Sequence, residues 1–231
     1  MLSQKMSKVY MMRLNGATIE NTAEEFKAST RLFNKNLIKL EENSGNSSAD
    51  TKGLIDAEKL QWEKFLNKFL LNPSKDVNEL LGLANGLLDK CKSLVTAIEN
   101  DVNSNDNAAA DIKLKAKIVN TSGKQRMLSQ RLSLYYLASK LNASTPQLAS
   151  TQKELKLVFE EMEKSFEMLT ASELNTAEIN DNFKIIKKEF SLIKDDKAAF
   201  ESQSIDVDKI LAFSNKVTST YNTITGLYAK L

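Results

Sequence analysis

Histidine is absent from this 231-residue chain, cysteine occurs once, proline twice and glycine seven times. Without histidine the usual neutral-pH general base, the Ser-His and Cys-His nucleophile pairs and every imidazole metal ligand are missing, which disfavours most hydrolase mechanisms. The single Cys91 cannot form an intramolecular disulfide and reads as a small buried helix residue. So few glycines and prolines cannot supply the turns of a many-stranded fold. Leu, Lys, Glu, Ala, Asn and Ser dominate instead, and the expected fold class is all-α. No apolar run approaches the ~20 residues of a membrane span, and the first residues show no export signal.

What the chain has is a repeat. MLSQKMSKVYM from Met1 returns as MLSQRLSLYYL from Met127, with six of the first ten positions identical. The match continues downstream, where Val77, Leu81 and Asn85 have identical counterparts in Val207, Leu211 and Asn215. Between these ends Phe33, Leu37 and Leu40 match Met162, Phe166 and Leu169. Likewise Ile55, Trp62, Leu66 and Phe69 match Ile179, Ile186, Phe190 and Ile193. A duplication into two units is expected, 1–104 and 105–231, with the polar stretch from Asp101 to Asn107 as the boundary. Nothing before Met1 corresponds to VNTSGKQR ahead of Met127, so the first copy is expected to begin inside its motif, with an export signal upstream.

Start and stop signals divide each copy into four helices. The first ends near Asn15-Gly16 in one copy and near Asn142 in the other. The second opens at the capping-box pattern of Thr22 and Glu25, and in its counterpart at Ser144-Thr145-Pro146. The third follows the loop from Gly45 to Ser48, or the pair Asn175 and Glu178; the fourth follows Asn72-Pro73-Ser74, or begins near Ser204. Apolar residues recur at three and four, as in Leu60, Phe65, Leu66 and Phe69, giving each helix one buried stripe. Helices of this kind joined by short loops make tandem antiparallel four-helix bundles. A helix reaching Leu141 from about Ala108 would be roughly 50 Å long.

Charge singles out the opening helices. Eight Lys and Arg lie between Ile112 and Lys153 with no Asp or Glu, although the whole chain carries only +2. The first copy likewise has Lys5, Lys8 and Arg13 before its first acid, Glu20. On a helix Ser122, Arg126, Ser129 and Ser133 fall on one face, and Ser3 and Ser7 repeat part of that stripe. Hydroxyls around a guanidinium fork suit a small planar anion, and Gly123 would let backbone approach closely. The competing reading is packing: small serines permit close helices, and Glu160, Glu161, Glu163 or Glu24 and Glu25 would neutralise the basic face. Scattered basic residues and aromatics at core spacing argue against a nucleic-acid partner.

The segment VNTSGKQRMLSQRL, Val119 to Leu132, resembles the signature of the PilJ-type N-terminal domain of type IV pilus chemotaxis transducers. Asn120, Gly123, Lys124, Gln125, Arg126, Met127, Leu128, Ser129, Gln130 and Arg131 agree with it, with Ser122 in place of a small alanine. It is similar, more distantly, to the periplasmic helix of NarX-type nitrate and nitrite sensors, whose arginine reaches the anion at a dimer interface. The resemblance implies a non-catalytic extracytoplasmic, periplasmic sensory module that binds a small oxyanion such as nitrate or nitrite. Arg126 would be the lead contact and Asn120, Ser122, Gly123, Lys124 and Ser129 contributors, with a homodimer through the opening helix and a signalling or envelope partner. The alternative is a structural or interaction bundle without a ligand. No cofactor, metal or catalytic group is expected; paired carboxylates such as Glu160 and Glu163 at i, i+3 read as a solvated helix face.

Overall fold

A computed structural model describes residues 1–16, 22–103, 110–142 and 145–231, and every element in them is helical. Two compact units, Leu2–Ala108 and Ala109–Leu231, emerge from the packing. The first holds α1 (Leu2–Leu14), α2 (Thr22–Asn43), α3 (Ala49–Leu66) and α4 (Val77–Asn103). The second holds α5 (Ala110–Leu141), α6 (Leu148–Thr170), α7 (Ala177–Lys194), the short α8 (Lys197–Glu201) and α9 (Val207–Lys230). Four helices were expected in each copy, so α8 is an addition. The Asp101–Asn107 stretch is not all loop: α4 runs through Asn103, and 104–109 lie outside the described residues.

Local chemistry sets the helix ends. α1 stops where Gly16 takes a φ of +75°, a left-handed cap that a residue with a Cβ adopts only at a cost. Ser48 caps α3 by accepting from Thr51 N. Asp76 does the same ahead of α4, accepting from Asn78 N and Glu79 N, and Asp206 caps α9. Two expected caps are displaced. α7 is capped by Thr176, because the Asn175 side chain donates backwards to Leu169 O and Thr170 O and closes α6 instead. α6 begins at Leu148, beyond Pro146, because Thr145 bonds back to Asn142 O through both its N–H and its hydroxyl. Ser144 and the Thr22 side chain lie outside the described residues.

In the first unit α1 packs on α2 and α4, and α3 on α2 and α4, closing a ring of four. Its centre is aromatic: Phe33 stacks on Trp62 at 4.2 Å, Phe65 on Phe69 at 4.0 Å, and Tyr10 meets Phe69 edge-on. The buried face of α3 is Ile55, Glu58, Trp62 and Phe65, and Phe69 in the π-turn Asn67–Leu71 extends it. Leu60, expected on that stripe, is 55% exposed because it lies about 200° around the helix from Glu58. A carboxylate occupies the place that the pattern assigns to an apolar residue.

Glu58 accepts from Cys91 Sγ at 3.0 Å, while its second oxygen, Oε2, is buried without a hydrogen-bond partner among the described residues. Burial raises its pKa above the ordinary 4.5, and the bond from Cys91 opposes that rise. A carboxyl whose folded pKa lies above its unfolded one contributes most below the unfolded value and loses that contribution as pH climbs through the folded one. Glu58→Gln should therefore gain stability over wild type between pH 4 and pH 7. Urea melts followed by circular dichroism check this, and a constant difference across that range refutes it.

The second unit is built on α5, which packs against α6 and α9, while α7 packs on α9. Phe159, Phe166, Phe183, Phe190 and Phe213 fill its centre, and rings of α6 contact rings of α7. One device recurs in both units. Tyr10 donates its hydroxyl to Ser74 O at 2.8 Å, and Tyr136, its counterpart in the repeat, donates to Ile205 O at 2.6 Å. Each bond ties the opening helix to the loop ahead of the fourth long helix. The copies differ at Lys8, which is buried with its pKa lowered to about 8 by desolvation, where the second copy has Leu134.

Candidate functional site

The stripe on α5 meets a matching stripe on α9. Ser122 Oγ lies 3.0 Å from Thr225 Oγ1, Arg126 Nη1 donates to Asn222 Oδ1 at 2.9 Å, and Ser129 Oγ lies 2.5 Å from Thr218 Oγ1. Further along, Ser214 donates to Ser129 O at 2.9 Å and Ser133 to Ile210 O at 3.3 Å. Residue numbers rise on α5 as they fall on α9, so the helices run antiparallel and the seam is a ladder of hydroxyls and amides. Such a seam gains little from apolar burial and depends on each group finding its partner.

Arg126 is the cation of this ladder. Burial lowers its pKa, and its Nε donates to Gly123 O at 3.3 Å, one turn back. A Cβ at Gly123 would stand 3.2 Å from Arg126 Nη2, close enough that the guanidinium would have to yield by a few tenths of an ångström. Among the described residues no carboxylate pairs with Arg126, whereas the neighbouring cations are neutralised by α6. Lys124 pairs with Glu161, and Arg131 with Glu154 at 3.5 Å while also lying over the Tyr135 ring. In the first unit Lys5 pairs with Glu25 at 2.8 Å. The neutralisation offered as the competing reading thus holds for Lys5 and Lys124, and not for Arg126.

The expected site residues are therefore only partly brought together. Arg126, Gly123, Ser122 and Ser129 share the α9 seam, with the two serines fully buried and their hydroxyls engaged. Lys124 points to α6, and Asn120 is exposed, on the Lys124 side by helical angle. Sequence reasoning missed Thr218, Asn222 and Thr225. The signal was available, since Ser214, Thr218 and Thr225 recur on α9 at the spacing of the serine stripe on α5. Two more polar groups sit at the level of Arg126 and Asn222. The buried Gln125 amide and the Tyr221 hydroxyl have no hydrogen-bond partner among the described residues, and desolvation drives the Tyr221 pKa up.

This helix and part of its seam lie within a stretch that one family model matches. The PilJ family, described as the N-terminal part of type IV pili methyl-accepting chemotaxis transducers, matches residues 108–219. Over that segment the chain is similar to the PilJ family. The PilJ match spans α5 to the middle of α9, so the ladder from Ser129 to Thr218 falls inside it, while Asn222 and Thr225 lie just beyond. No curated protein and no solved structure matches the chain. No helix among the described residues is long and apolar enough to cross a membrane.

Proposed function

We propose that the PilJ domain is the ligand-reading part of an extracytoplasmic, periplasmic sensory module and that Arg126 binds a small oxyanion, nitrate or nitrite. The observation that carries this is a half-buried guanidinium whose partners, Asn222 Oδ1 and Gly123 O, are both uncharged. A desolvated cation without a counter-ion favours an incoming anion, and a planar fork of donors matches a planar oxyanion. The similarity of the α5 motif to nitrate and nitrite sensor helices supports the choice of ligand. An anion at Arg126 competes with Asn222 for the guanidinium and so favours one offset of α5 against α9 over another. A second copy meeting along α5 would supply a second arginine, and a signalling partner would read the offset. No catalytic step enters this reading.

A second reading has its own support. Ser122 and Ser129 already spend their hydroxyls on Thr225 and Thr218, as residues chosen for close packing would. A bundle that only presents surfaces to an envelope partner then responds alike to every salt. Thermal melts in nitrate, nitrite, sulfate and chloride at equal ionic strength separate the two. Nitrate or nitrite in hundredfold excess over Kd stabilises by about 2.7 kcal/mol, a rise of several degrees over chloride. Arg126→Ala removes that rise; equal melting in all four salts overturns the oxyanion reading.

A further inference from the structure

The second unit carries an addition that the first lacks. Ile193 and Val207 occupy the places of Phe69 and Val77, and the connection 194–206 is six residues longer than 70–76. The extra length forms α8, whose first turn is capped by Asp196 accepting from Ala199 N at 3.0 Å. Phe200 on α8 is buried against the Tyr136 and Phe159 rings at 5.9 and 5.7 Å. The chain then turns through Gln203, the one residue other than glycine with positive φ, +54°, among those described.

This turn is fastened to both α5 and α6. Lys140 Nζ donates to Gln203 O at 3.1 Å, and Gln152 Nε2 donates to Glu201 O at 3.2 Å and to Gln203 Oε1 at 2.9 Å. A left-handed glutamine costs about 1 kcal/mol or more and persists only where its surroundings hold it. The short helix is thus a fixed wall.

Between that wall, α6 and the end of α7 lies a cavity of about 240 Å³. Its floor is Phe159, Ile193 and Phe200, all buried. Its rim carries three lysines and three glutamates, a balanced set of opposite charges. Lys194 and Glu163 pair across α7 and α6 at 2.7 Å, whereas Lys156 with Glu160 and Lys197 with Glu201 are 3.9 and 3.8 Å apart along their own helices. Exposed pairs so long are worth little and exchange partners readily.

We propose that this cavity binds a free amino acid with an aromatic side chain. The apolar floor takes the ring, Lys156 and Lys197 take the carboxylate, and Glu160 and Glu201 take the ammonium. A purely apolar ligand would strip water from six charges without replacing it, and a ligand of one sign meets as many like charges as opposite ones. A zwitterion answers both. The volume lies just under the ~300 Å³ at which small-molecule pockets begin, which favours a single ring over larger ligands. The site stands apart from Arg126, because it is built on α6, α7 and α8 and not on the α5 and α9 seam.

Titration of the full chain with L-phenylalanine, read by calorimetry and by amide shifts of α6 and α8, tests the assignment. Saturable binding is expected, weakened at least about tenfold for phenylacetate, phenethylamine and the doubly blocked N-acetyl-phenylalanine amide. Lys197→Gln, at an exposed position, should weaken L-phenylalanine to a similar degree, and Arg126→Ala should leave it unchanged. Equal binding of the blocked or singly charged analogues, or no saturation by ~10 mM amino acid, overturns the proposal. Loss of L-phenylalanine binding in Arg126→Ala overturns it as well, by placing the ligand on the other seam.

Discussion

Trp62→Ala should lower the stability of the first unit by about 3–5 kcal/mol, the range for deleting a large buried aromatic side chain. Trp62 is 3% exposed and sits between Phe33 and Phe65, at 4.2 and 5.5 Å between ring centroids. Its loss opens a void at the middle of a row of rings that continues through Phe69 to Tyr10. Close-packed neighbours refill such a space only in part. The indole N–H also donates to Asn34 Oδ1 at 2.6 Å, a bond that Trp62→Phe removes while keeping most of the ring. Trp62→Phe is therefore expected to cost about 1–2 kcal/mol, mostly the hydrogen bond and the lost area. Urea denaturation followed by far-ultraviolet circular dichroism gives both values. Alanine and phenylalanine variants of equal stability would show that the stacked row is not what holds α2 to α3.

The second large effect is at Ser129. Ser129→Leu should cost about 3 kcal/mol, because a fully buried serine faces α9 and three added carbons have no space to enter. Ser129→Ala should cost only about 1 kcal/mol, the worth of its hydroxyl. The contrast separates two reasons for the serine stripe. Ser214 bonds to the Ser129 carbonyl at 2.9 Å, and in either variant that bond depends on the helices keeping their spacing. Leucine forces them apart and breaks it; alanine does not. Thermal melts of the two variants are the measurement, and a leucine variant as stable as the alanine variant would rule out close approach as the reason for serine here.

Helix ends were legible in the sequence wherever the signal was local and had no competitor. Gly16, Ser48 and the Asn72-Pro73-Ser74 turn each act on their own backbone, and α1, α3 and α4 stop or start beside them. Misplaced readings involve side chains that a tertiary or neighbouring demand claimed first. Asn175 was taken by the end of α6, and Thr145 by the Asn142 carbonyl. Leu60 fits the apolar pattern of the sequence, whereas Glu58, the residue actually buried, does not. Helix α8 left no periodic trace, being a single turn of five residues.

At the candidate site the arginine, the glycine and the serines could be read from one helix, since spacing along a helix fixes which residues share a face. Their partners could not be read that way. Pairing Arg126 with Asn222 requires the register of α5 on α9, which the spacing along one helix does not carry. Lys124 looked like a neighbour of Arg126 in sequence, yet two residues turn a helix through about 200°, and it meets Glu161 on α6.

The tyrosine bonds shared by the two units bear on any signal that travels along the helices. Tyr136 holds the start of α9 to α5 through Ile205 O, and hydrogen bonds fail within roughly an ångström of stretch. A slide of α9 against α5 of more than about that distance would have to break the bond, so it resists relative displacement of the two helices.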